Sequence, residues 1–112
     1  MKLPNLDRAL IPTAKVRDYL LNPAHPVGRA KARFFTGLGF RRSRWSELKE
    51  ALLAHARDGE ARALAPGGFG QKWLVDGTLH GPEGTAARLR AVWMVADRAA
   101  GPRFVTAYPE ER

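Results

Sequence analysis

The apolar periodicity of this 112-residue chain changes near residue 58, and that change limits the folds open to it. Before that point, apolar residues recur at helical spacing. Val16, Tyr19 and Leu20 follow i, i+3, i+4, which predicts a helix over 13–22 with Thr13 as its cap. The Asn22-Pro23-Ala24-His25-Pro26 run must break it, because the residue before each proline is pushed out of the α region. A second helix is expected over 27–38, with Val27, Ala30, Phe34 and Leu38 on one stripe and Gly39 as a stop. A third runs from a cap at Ser43 or Ser46 to about Arg57, with Trp45, Leu48, Leu52 and His55 along one face and Asp58-Gly59 closing it.

After residue 58 the period falls to two. A short strand is expected over 59–64, then a glycine-rich loop at 66–70. In 71–79, Trp73, Val75 and Leu79 share a face. In 86–96, Leu89, Ala91, Trp93 and Val95 oppose Arg88, Arg90, Val92 and Met94. In 103–108, Val105 and Ala107 oppose Phe104, Thr106 and Tyr108. Turns are expected at 81–84 and 100–102, and residues 3–11 read as extended chain limited by Pro4 and Pro12. The expectation is an α+β domain spanning 1–112, with about three N-terminal helices on one face of an antiparallel sheet of about four strands. Its helical half is 1–58 and its sheet half 59–112.

Charge follows the same division. The whole chain carries 19 Lys/Arg against 11 Asp/Glu, a net +8. Residues 1–58 hold twelve cations and five acids, while 59–112 hold seven and six. Between 29 and 44 lie Arg29, Lys31, Arg33, Arg41, Arg42 and Arg44 with no acid among them. Such a cluster attracts polyanions, although a solvated surface that keeps the protein soluble has the same composition. There is no cysteine, so disulfides and thiolate metal sites are excluded. No apolar run approaches the roughly 18 residues of a membrane span, and residues 1–5 contain no apolar signal core, so a cytoplasmic protein with no membrane association is expected.

Few chemical motifs are present. There is no P-loop, and Gly67-Gly68-Phe69-Gly70 follows no βα unit, which leaves it a loop and not a dinucleotide fingerprint. His25, His55 and His80 lack metal-ligand spacing, so neither metal nor cofactor is expected. His55 reads as a core-edge residue and His80 as part of a turn. Trp45, Trp73 and Trp93 read as core, not as base-stacking platforms.

His25 is the informative histidine. It stands just before a helix whose first turns carry Arg29, Lys31 and Arg33. Backbone N–H groups at a helix start, together with nearby cations, make an anion site. An imidazole beside that site can move protons near neutral pH. These are parts that metal-free RNA cleavage needs: a base for the 2′-hydroxyl, cations for the crowded phosphate, and an acid for the leaving oxygen. The blander alternative is a loop histidine held by a backbone carbonyl between two prolines. Thr106 and Tyr108, sharing a face of the last strand, suit either phosphate contact or ordinary cross-strand pairing.

Leu3-Pro4-Asn5, Leu21-Asn22-Pro23 with His25-Pro26 and Gly28, Lys31-Ala32 with Phe34, and the closing Val105-Thr106-Ala107-Tyr108-Pro109 together resemble a family of short bacterial proteins of unknown function. That family is similar in layout to the toxin ribonucleases grouped around barnase, RelE and the tRNA-cutting colicins, in which N-terminal helices meet a four-stranded antiparallel sheet. The resemblance implies a general acid or base at His25, a phosphate stabiliser at Lys31, and substrate-orienting groups at Thr106 and Tyr108. It implies flanking phosphate contacts from Arg29 and Arg33, RNA (tRNA or mRNA) as substrate, and a small acidic antitoxin-like partner. Such toxins often add a strand-borne cation, for which Arg88, Arg90 and Arg103 are the candidates.

Three functions are therefore open. The first is a metal-independent toxin-type ribonuclease. The second is a non-catalytic nucleic-acid-binding domain that uses Arg29, Arg33, Arg41, Arg42 and Arg44. The third is an interaction protein whose basic face docks an acidic partner.

Overall fold

The structure is a computed structural model, and it describes residues 1–64, 70–97 and 100–110. Most of the expected 66–70 loop lies outside these residues. A 3₁₀ turn at Leu6–Arg8 interrupts the entry segment expected to be extended, and three longer helical segments then precede four strands, in the order the periodicity predicts. A single α-helical turn, α1 (Thr13–Lys15), runs directly into a π-helical stretch, Val16–Leu20. Helix α2 is Arg29–Gly37, and α3 is Trp45–Asp58, entered through a 3₁₀ turn at Arg42–Arg44. Strands β1 (Glu60–Ala63), β2 (Gln71–His80), β3 (Ala86–Val95) and β4 (Arg103–Pro109) form an antiparallel meander in the order β1-β2-β3-β4. The result is an α+β fold with three helices packed on a four-stranded antiparallel sheet.

The core lies between the helices and one face of the sheet. Val16, Leu20, Phe35, Phe40, Leu48 and Leu52 from the helical half meet Val75, Leu79, Leu89, Ala91, Trp93 and Phe104 from the strands. Trp93 and Phe104 pack edge to face with ring centroids 5.5 Å apart. Helix α3 buries the face its spacing predicts, Leu48, Leu52 and His55, and Gly59 ends it. Gly39 ends α2 at φ 99°, a left-handed geometry suited to glycine.

Three local expectations are corrected. Thr13 is the first residue of α1 and not its cap; Pro12 precedes it in extended backbone with no side-chain cap. Neither Ser43 nor Ser46 caps α3, because the 3₁₀ turn carries the chain into the helix and Arg44 occupies the cap position. The stripe Val27-Ala30-Phe34-Leu38 is not the buried face of α2 either. Val27 is 69% exposed, and Ala32 and Phe35 are the fully buried residues. Residues 26–28 form a turn, so the helix starts two residues late and Val27 is not on it.

A fourth correction falls on β4. Thr106 pairs with Val92 but Phe104 pairs with Trp93, so Val105 is an extra residue in β4. Such a bulge reverses the alternation of the strand. Phe104 and Ala107 both enter the core, while Thr106 and Tyr108 occupy the other pleat. In an unbulged strand, the pleat that buries Phe104 would bury these two side chains with it.

His55 is 2% exposed, and its Nε2 meets the Leu89 carbonyl at 2.8 Å. That partner places the proton on Nε2. Burial lowers its pKa below the ordinary 6.5, against the opposing pull of the Leu89 carbonyl. Above pH 6.5 the ring is neutral both folded and unfolded. As the pH falls through 6.5, the unfolded chain takes up a proton that the folded chain refuses, and stability drops until the folded value is passed. Urea unfolding at about pH 7.5 and 5.5 is expected to show this loss. His55→Gln, which keeps a donor for Leu89, should shrink it; an unchanged pH dependence in that variant would remove His55 as its source.

Candidate functional site

Two sequence-distant groups of residues meet along β4. The segment joining the π-helical stretch to α2 folds back on itself. The ring nitrogen Nδ1 of His25 accepts hydrogen bonds from the backbone N–H groups of Val27, at 3.1 Å, and Gly28, at 2.9 Å. His25 therefore caps the turn that starts α2, held by N–H donors and not by the carbonyl that the bland reading supposes. Two bonds to Nδ1 place the ring proton on Nε2, which makes that atom the ring's remaining donor.

The His25 ring meets the Tyr19 ring edge to face, with centroids 5.2 Å apart and planes at 76°. The Tyr19 hydroxyl in turn lies 3.1 Å from Thr106 Oγ1. In the first turn of α2, the Lys31 ammonium sits 5.4 Å from the centroid of the Tyr108 ring, a cation–π contact. Contacts thus run from His25 through Tyr19 to Thr106, and from Lys31 to Tyr108 two residues further along the same strand.

Tyr19 is the residue that periodicity hides. Its i, i+3, i+4 position marks it as apolar surface of the first helix. In the fold it is half-buried, its hydroxyl on Thr106 and its ring against His25. Gly28 is required beside it. A Cβ there would overlap the Tyr19 carbonyl oxygen and stand 2.9 Å from Tyr19 Cδ1. The spacing of a glycine nine residues after a tyrosine signals nothing in the sequence, because their approach is made by the intervening turn.

The three strand arginines separate. Arg88 is bound to Glu110 at 2.9 Å. Arg90 makes a two-point pair with Asp76, at 2.7 and 2.8 Å, beside Tyr108 in the sheet register. Hydrogen bonding from Arg90 holds the Asp76 carboxyl below its usual range, against the effect of burial, and the same contact raises Arg90. Arg103 is exposed at the start of β4, and borders a cleft that also contains His25.

The 29–44 cations are not one uniform patch. Arg42 donates to the Arg17 carbonyl and to Asp18, so its guanidinium pins the 3₁₀ turn to the π-helical stretch. Arg41 approaches Glu83 at 4.0 Å. Arg29 and Arg33 are exposed on α2, and Arg44 is exposed before α3. Hydrogen bonding from Arg17, with a further bond from Arg42, holds Asp18 down to about 2 although partial desolvation opposes it; Asp18 is ionised at neutral pH.

His80 is exposed at the end of β2. Among the described residues no group of three or more His, Asp or Glu is placed to hold a metal ion. Among the described residues no helix is long and apolar enough to cross a membrane.

Comparison with known proteins gives a fold likeness and a family. The fold is similar to a solved chain of a contact-dependent growth inhibition toxin–immunity protein complex from Klebsiella pneumoniae 342. The two align with a TM-score of 0.68 over 96% of this chain and 97% of that chain, at 16% sequence identity. At that identity the likeness is one of fold. No curated protein matches the sequence. Residues 2–111 match the family described as domain of unknown function DUF6883, and with nearly its whole length covered this chain belongs to that family.

Proposed function

We propose that this protein is a toxin-type, metal-independent endoribonuclease whose site is the groove along β4. The observation that carries the reading is that Tyr19, itself against His25, meets Thr106 while Lys31 meets Tyr108 two residues along the same strand. The likeness of fold to a chain from a toxin–immunity protein complex supports it from outside the chain.

The roles follow from the donors present. The 2′-hydroxyl oxygen of the substrate attacks phosphorus, the 5′-oxygen leaves, and a 2′,3′-cyclic phosphate remains. His25 Nε2–H and the hydroxyls of Thr106 and Tyr108 donate to the phosphate oxygens as charge builds on them. The Lys31 ammonium offsets that charge and gives a proton to the departing 5′-oxygen, while the 2′-proton passes to solvent. With Nδ1 occupied by two N–H groups, His25 acts as a donor at the phosphate, one of the acid or base roles open to it from the sequence. Arg29, Arg33, Arg41 and Arg44 would hold flanking phosphates; Arg42 is committed to Asp18.

The direct test is incubation of purified protein with labelled tRNA and mRNA in EDTA. Cyclic-phosphate ends from the wild type, absent with His25→Ala, are the expected result. Intact RNA would reject the reaction. If RNA is then bound in a steeply salt-dependent way, the chain is a non-catalytic binding domain of the kind its exposed arginines also fit. The partner that suits a +8 chain is a small acidic protein neutralising the groove, and its addition should abolish cleavage.

A further inference from the structure

The cleft at the Arg103 end of the groove has a composition that phosphate binding alone does not require. It measures about 640 Å³, within the roughly 300–1,000 Å³ of small-molecule sites. Lys15, Asp18, Tyr19, His25, Val27 and Arg103 are on its walls. Val27 is 69% exposed although apolar, and Tyr19 presents an aromatic ring with the Lys15 ammonium 5.5 Å from its centroid. Arg103 has no ion-pair partner among the described residues, so the cations Lys15 and Arg103 stand in one cleft with the Tyr19 ring and the exposed Val27 side chain. Asp18 adds an ionised acceptor: Arg17 and Arg42 both bond Oδ1, and Oδ2 takes a single bond from Arg17.

A flat apolar ring carrying donors at one edge and an anion at the other matches this set. We propose that the cleft binds one nucleotide of the RNA, its base against Tyr19 and Val27 and its phosphate on Lys15 and Arg103. Its place in the groove rests on the ribonuclease reading. Oδ2 of Asp18 has room for one more donor, which favours bases with amino or imino hydrogens facing it, guanine above all. Arg103 pairs with Met94 and Tyr108 with Arg90, four residues apart on β3, so the two are about 13 Å apart at roughly 3.3 Å per residue. A nucleotide in this cleft is therefore not the one whose phosphate meets Lys31, and the cleft acts as a specificity subsite beside the reacting bond.

The test is titration of the ¹⁵N-labelled full chain with guanosine 5′-monophosphate, with ribose 5-phosphate as the probe for charge alone. Amide shifts at Lys15, Tyr19 and Val27 are expected, with the nucleotide binding at least about tenfold tighter than the sugar phosphate. Ala14→Trp, which fills the cleft from an exposed helical position, should abolish binding. Arg103→Ala should weaken it by about tenfold, as loss of one charged contact does. Equal affinity for the two probes, shifts confined to residues 29–44, or unchanged binding in both variants would overturn the assignment. The two proposals separate cleanly. Nucleotide bound in the cleft with RNA left intact keeps the subsite and removes the reaction. RNA cut equally well, and at the same positions, by wild type and Ala14→Trp keeps the reaction and removes the subsite.

Discussion

Lys31→Ala is expected to lower RNA cleavage by about 10²–10³-fold, the cost of removing one preorganised group that stabilises transition-state charge. The size follows from the surroundings of Tyr108. The neighbouring strand cations are already committed, Arg90 to Asp76 and Arg88 to Glu110, so neither replaces the lost ammonium without breaking its own pair. Lys31→Arg restores the charge but not the compact ammonium over the ring, and should recover only part of the rate. Arg33→Ala, on the exposed face of α2, is expected to weaken RNA affinity and reduce the salt slope by about one, with little change in single-turnover rate. Single-turnover cleavage at saturating protein distinguishes the two classes. A Lys31→Ala protein that cuts at the wild-type rate would take Lys31 out of the site.

Gly28→Ala is expected to destabilise the fold by about 1–3 kcal/mol, the usual cost of overpacking. It should also lower cleavage by more than the loss of folded protein explains. The new methyl group collides with backbone, the Tyr19 carbonyl, which cannot swing aside as the end of a flexible side chain would. Relief requires the start of α2 to move away from Tyr19. The Gly28 N–H bond to His25 Nδ1 and the edge contact of His25 with Tyr19 move with it. Tyr19→Phe is the milder companion. It removes only the hydroxyl on Thr106, worth about 0.5–1.5 kcal/mol, and leaves the ring against His25. Urea midpoints and cleavage rates under fully folded conditions measure both effects. A Gly28→Ala protein as stable and active as wild type would mean that the α2 start is free to shift, and that its seating against Tyr19 does not organise the groove.

Much of this architecture is legible in the chain. A helical spacing that gives way to alternation at Asp58-Gly59 is a local property, set by which side chains can face one core. It fixes three helices before four strands, the buried faces of α3, β2 and β3, and the turn at Gly39. The proximity of a basic helix start to His25 is local as well. The errors arise where one residue changes the phase. A turn over 26–28 takes Val27 off its helix, and the extra Val105 in β4 parts Phe104 from the pleat of Thr106 and Tyr108. A bulge depends on the partner strand, so no pattern within 103–108 displays it.

What the sequence determined by itself is the set of parts: an α+β fold, a basic helical half, no thiol chemistry, and candidate groups at positions 25, 31, 106 and 108. The tertiary structure alone decided their arrangement. It set Lys31 over Tyr108, linked His25 to Thr106 through a tyrosine that reads as ordinary core, tied Arg42 to Asp18, and left Arg103 beside the cleft. Those contacts join residues up to 87 positions apart. Spacing along a chain encodes which face a side chain takes, whereas which faces meet is settled by the packing of the whole core.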